Sequence, residues 1–198
     1  MGIRYQFNKT SMQQLKKELA IRENALPTLK AKEAALRVQV KKAKEEVERI
    51  EREIEQKREE AAPYKKMWAE FPEDIIKLRN IDLEQTKIAG IQIPSVNSVD
   101  FTIERHSIFA TPFWIPEGIG YIKELFTLRV RKGAAEKAVE ILEYARKKTT
   151  QKVNLYEKVQ IPEYNKALLK IKRYLEDQEN LAKSSQKILK ARLQTAEV

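Results

Sequence analysis

The residues of this chain that could do chemistry are few, and their spacing argues against catalysis. His106 is the only histidine, which rules out a two-histidine metal site and suits the surface or the end of a hairpin. There is no cysteine, so disulfides and thiolate metal ligands are excluded and a reducing cytoplasm is the simplest home. Gly118-Ile-Gly120 is a fragment of a glycine loop without the rest of any phosphate-binding pattern, and it reads as a turn. Asp and Glu abound, but they alternate with Lys and Arg, as in KKAKEEVERIEREIEQKREE, and imply no enclosing pocket. No nucleophile, base and orienting group form a set, so no catalytic, metal or cofactor-binding residue is assigned and no cofactor is expected.

The chemistry that remains is association. Formal net charge is +10, from 39 Lys and Arg against 29 Asp and Glu. The excess sits at the two ends: +4 over residues 1–62, −1 over 63–130 and +7 over 131–198. Interleaved with Glu, most of it reads as a solvated helical face. The alternative is an acidic partner surface, for which Arg146, Lys147, Lys148, Lys172 and Arg173 are the candidates. Nucleic acid is not expected, because its binders place aromatics among their basic residues and here the aromatics lie elsewhere. Both tryptophans and most phenylalanines fall between residues 63 and 131, and the run Phe109-Ala-Thr-Pro-Phe113-Trp114-Ile-Pro is too apolar for an ordinary loop. It is either a small local core or a docking surface carried by Phe109, Phe113 and Trp114.

The elements that must position these residues follow from periodicity. Leu15, Leu19, Leu26, Leu29, Leu36, Val40, Ala43, Val47, Ile50, Ile54 and Ala61 recur at alternating steps of four and three, interrupted by Arg22, Glu33 and Lys57. That is coiled-coil spacing, and the polar interruptions set register or meet another subunit. Asn8 or Thr10 can cap this helix, and Pro63 ends it. A second stripe runs Leu142, Ala145, Thr149, Val153, Tyr156, Gln160, Tyr164, Leu168, Ile171, Leu175 and on to Leu189, with stutters that relax a supercoil. Pro162 should kink that arm, and Pro27 should sit on the outer side of the first.

The predicted fold is therefore all-α dominated. A long antiparallel two-helix coiled coil, from helices at 8–62 and 132–193, flanks a middle region at 63–131 of short helices and a β-hairpin at about 87–105. Within that hairpin, Lys87–Ile93 and Val99–Arg105 read as strands around a Pro94–Ser98 loop, with Ile91, Ile93, Phe101 and Ile103 on one face. Arms of equal length predict partners whose numbers sum to 197–200, placing Leu36 near Pro162 and Leu15 near Lys183. The chain should fold back on itself into a stiff rod. No apolar run approaches the roughly 20 residues that cross a bilayer, and MGIRYQFNKT lacks a signal-peptide core.

Lys152-Val-Asn-Leu-Tyr-Glu-Lys-Val-Gln-Ile-Pro-Glu-Tyr164 resembles the VN…E…IP segment in the C-terminal helix of the D subunit of V/A-type rotary ATPases and ATP synthases. Asn8-Lys-Thr-Ser-Met-Gln-Gln-Leu-Lys-Lys-Glu-Leu19 is similar to that family's N-terminal opening, although Ile21–Pro27 replaces its more basic run. The resemblance implies a non-catalytic central rotor shaft, cytoplasmic and peripheral to the membrane. Its partners would be the A and B subunits of the head, the F subunit, and the funnel-shaped subunit (C or d) above the membrane ring. The alternative is an antiparallel coiled-coil scaffold or a chaperone of the prefoldin kind.

Overall fold

The structure is a computed structural model that describes residues 3–72, 74–104 and 112–196. Helix dominates. Helix α1 spans Lys9–Ala61, a 3₁₀ turn covers Ala62–Tyr64, and α2 is Lys65–Trp68. Strands β1 (Ile76–Ile88) and β2 (Ile91–Ile103) form a two-stranded antiparallel sheet. Helix α3 (Ile115–Asn154) then runs through a π-helical turn, Leu155–Gln160, into α4 (Ile161–Ala196). The chain divides into two compact units, Met1–Ala31 with Thr149–Val198, and Lys32–Lys148.

In the first unit Asn8 caps α1, its Oδ1 accepting from the Ser11 amide at 2.6 Å. The core packs Leu15 and Leu19 of α1 against Tyr164, Ala167 and Ile171 of α4, flanked by Met12, Ile161 and Leu175. Pro27 stays inside α1 and is exposed, so its missing N–H is lost on the outer side.

In the second unit Leu36 and Val40 of α1 pack against Ala138 and Leu142 of α3, and Ile93 of β2 closes the same core. Lys44–Glu143 at 2.6 Å and Lys132–Glu51 at 2.8 Å bridge the helix pair, and Lys57 binds Glu124. These pairs and Lys30–Glu157 run antiparallel, with residue numbers summing to 181–187. The expected 197–200 is thereby corrected. Leu15 meets Tyr164 and Ile171 and not Lys183, and Leu36 is enclosed by the α3 residues and not by Pro162. Seam complementarity fixes the offset, whereas equal arm length does not. One consequence is that the described side chains from Glu176 to Arg192 are all exposed.

The hairpin expected at about 87–105 occupies 76–103. Lys87–Ile93 is not one strand but crosses the tip, with Lys87 and Ile88 ending β1 and Ile91–Ile93 opening β2, because Ala89 (φ 51°) and Gly90 (φ 80°) are both left-handed, the backbone pattern of a two-residue type I′ turn. Pro94–Ser98 lies within β2, where Pro94 is tolerated because a two-stranded sheet has only edges. Ile91 and Ile93 face the helix pair, Phe101 meets Phe126 edge to face at 5.6 Å, and Ile103 is left half-exposed. Register shifts at Leu78/Asn80 and Asp82/Leu83 break the simple alternation.

Gly118 and Gly120 lie in the first turns of α3 and not in a turn between elements. A Cβ on Gly118 would sit 3.0 Å from the Trp114 ring and 3.1 Å from that of Phe71, so glycine serves close packing there. Helix α3 begins at Ile115, inside the stretch assigned to the middle region. His106 lies outside the described residues.

Candidate docking surfaces

The end of α1, the short α2 and the start of α3 gather the aromatic residues into one foot. Pro63, at the start of the 3₁₀ turn, ends α1 and redirects the chain so that α2 lies beside α3. The Trp68 ring lies 5.0 Å from that of Tyr121, 5.6 Å from Trp114 and 5.9 Å from Phe71. Ile75, Ile115 and Ile119 form the enclosed floor behind them. Tyr121 donates its hydroxyl to the Lys57 carbonyl at 2.8 Å, fixing α3 to α1 near its C-terminal end. The local-core reading of this stretch thus has its counterpart in the geometry. Trp114 is half-buried in the local core, while Phe113 is 94% exposed beside it. Between them opens an apolar groove of about 340 Å³, with Tyr64, Met67 and Trp68 on one wall and Glu60 and Glu117 among its lining residues. Phe109 lies outside the described residues. Sequence reasoning passed over Tyr64, Met67, Trp68 and Tyr121 as site residues; the clustering of aromatics in this third of the chain was the signal that could have found them.

The basic candidates divide between the two units. Arg146, Lys147 and Lys148 belong to the second unit. Lys147 and Lys148 are exposed, and Lys148 reaches over the Tyr144 ring at 5.5 Å. Arg146 is half-buried, its Nε enclosed without a hydrogen-bond partner among the described residues. The bond from Lys44, and with it the charges of Lys44 and Arg146, holds the Glu143 carboxyl below the usual carboxylate range. Lys172 and Arg173 belong to the first unit and are exposed, with Lys172 3.7 Å from Glu176. Further along α4, Leu181, Ile188 and Leu189 are each more than half exposed.

A polar clasp interrupts the apolar seam of the first unit. Arg22 donates from Nε to Gln160 Oε1 at 2.8 Å and from Nη1 to the Glu18 carbonyl at 2.8 Å, and its guanidinium lies 4.5 Å over the Tyr164 ring. Tyr164 in turn donates its hydroxyl to the Glu18 carboxylate. Burial and that hydrogen bond push the Tyr164 phenol up. The residues that carry the VN…IP resemblance are therefore the π turn, the proline after it and the tyrosine of the clasp.

Among the described residues no group of three His, Cys, Asp or Glu side chains could hold a metal ion, and no helix is long and apolar enough to cross a membrane. Long helices paired antiparallel in each unit, with a two-stranded sheet between them in sequence, define the class of coiled-coil helical-hairpin proteins. The chain matches the family described as the D subunit of ATP synthase over residues 11–191. It is 30% identical over 187 residues to the D subunit of the V-type ATP synthase of Borreliella burgdorferi, covering 93% of each chain. It is 28% identical over 204 residues to that of Chlamydia pneumoniae, covering 97% of this chain and 98% of the relative. The chain belongs to the ATP synthase D-subunit family.

Proposed function

We propose that the chain is the non-catalytic central rotor shaft of a V/A-type ATPase or ATP synthase, coupling ATP turnover in the head to rotation of the membrane ring and to ion translocation. The observation that carries this reading is the family match along nearly the whole chain, together with antiparallel pairing of its helices. Torque needs a seam that resists sliding. Leu36, Leu142 and Ile171 are fully enclosed, each worth about 1.5–3 kcal/mol of burial, and lysine–glutamate pairs lace the flanks.

Unequal sides of such a shaft bias successive head interfaces toward different conformations, and turning it permutes those biases. In this reading the exposed α4 segment beyond Glu176 enters the head formed by the A and B subunits, and Arg146, Lys147, Lys148, Lys172 and Arg173 face its acidic inner surfaces. The F subunit binds along the helix pair. The foot, with Phe113 outermost and Trp114 beneath, seats in the funnel-shaped subunit (C or d). The chain works at the cytoplasmic side as a peripheral part of a membrane complex.

Purification of the tagged full chain from native membranes tests the assignment. Recovery of a hexameric ATPase head with the F and funnel-shaped subunits is expected; recovery of none of them contradicts it. Phe113→Ser should lose the funnel-shaped subunit and keep the head. Reversal of Lys147, Lys148, Lys172 and Arg173 to Glu should weaken head binding and flatten its salt dependence.

A further inference from the structure

We infer that the π turn at Leu155–Gln160 is a phase-setting joint in the C-terminal helix, and that Arg22 is the positioning residue that locks it. The turn has a local cause. Pro162 has no N–H to give, so the helical ladder is already broken there, and the Ile161 amide reaches back five residues to the Tyr156 carbonyl. A π turn takes up about one residue more than an α turn, so every side chain after it is displaced by about 100° around the helix.

That displacement decides what faces α1. With the π turn present, Tyr164, Ala167 and Ile171 lie against Leu15 and Leu19, while Lys166 and Lys170 are exposed. Closing the turn to α would advance the phase by one residue and bring Lys166 and Lys170 toward the seam. Arg22 touches both sides of the joint. It binds Gln160, the last residue of the turn, and covers Tyr164, the first buried ring after it, while its other nitrogen is anchored on the Glu18 carbonyl. Lys30–Glu157 at 2.6 Å ties the start of the turn, but both partners are about half exposed and the pair is correspondingly weak. Arg22 keeps only 22% of its side chain exposed. The functional weight of the joint rests on the shaft reading, since its phase sets which side of α4 is offered to the head; the conformational claim does not.

The test uses the full isolated chain, which has no native cysteine. Two cysteine pairs are compared by their rates of disulfide formation: Leu19→Cys with Ala167→Cys, and Leu19→Cys with Lys166→Cys. With Arg22 present the Ala167 pair should close faster. Arg22→Met should move the ratio toward the Lys166 pair by about fivefold or more, and should speed hydrogen exchange of the Ile161 amide by about tenfold, the scale of one hydrogen bond to a charged group. Gln160→Leu should act in the same direction, and Gln160→Glu, which keeps the acceptor, should restore the native ratio. An unchanged ratio in both Arg22→Met and Gln160→Leu, or equal acceleration of both pairs, overturns the joint. Failure of the unaltered chain to bind the head would instead overturn the shaft reading alone.

Discussion

The two units pair the same kind of helices by different means. In the second, Leu36 and Leu142 are fully enclosed because the hairpin tip supplies Ile93, with Ile88 and Ile91, as a third apolar wall. In the first the cover is a short segment and not a sheet: Ile3 and Tyr5 before α1 pack on the same core, Phe7 meets Tyr174 at 5.0 Å, and a polar clasp interrupts the seam. Two helices bury only a narrow stripe, so a pair covered by a short segment relies more on directional bonds to hold its phase. The second unit is the better insulated seam, and the first the more adjustable one.

Truncating each core should give the largest effects and tests the comparison directly. Leu142→Ala in the second unit and Ile171→Ala in the first should each cost about 3 kcal/mol. Hydrogen exchange should show the loss confined to the substituted unit; equal loss of protection in both would break the distinction. Next in size is the glycine pair at the foot. Gly118→Leu should destabilise the second unit by about 2 kcal/mol, since its Cβ meets two rings, whereas Gly120→Ala, with nothing within 4 Å, should stabilise α3 by about 0.5–1 kcal/mol. Thermal melts of the two variants in parallel should move in opposite directions.

A smaller gain should come from the hairpin tip. Ala89→Asn relieves a left-handed alanine and should stabilise the second unit by about 0.5 kcal/mol, visible as slower exchange in β1 and β2 and unchanged exchange around Leu19. The smallest effect concerns acid. Because Lys44 holds the Glu143 carboxyl low, that pair's contribution is present above the usual carboxylate range and fades as pH falls through the depressed folded value. Lys44→Met should therefore flatten the acid limb of the second unit's stability curve slightly, the pair being largely solvated.

Much of this architecture was legible in the residues. The seam positions Leu15, Leu19, Leu36, Val40, Ile50 and Ile54 are all buried, because a four-three apolar repeat leaves a helix one stripe to hide. The hairpin was visible as β-branched runs, but its tip was not, since Ala89 carries no signal for a left-handed turn and KIAGIQI alternates like a strand. The pairing offset was hidden because heptad positions repeat, and any shift by whole heptads preserves the pattern. Gly118 looked like a turn because nothing local announces that the ring of distant Phe71 will press on it beside that of Trp114. The π turn was foreshadowed only by Pro162 and the four-four steps; its lock, Arg22, lies more than a hundred residues away in sequence.

The central functional proposal is that this chain turns inside an ATP-hydrolysing head. With the head immobilised and a bead attached through Phe113→Cys at the foot, adding ATP should produce sustained rotation of the bead in one direction. ATP hydrolysis by the same complexes with the bead stationary would contradict it.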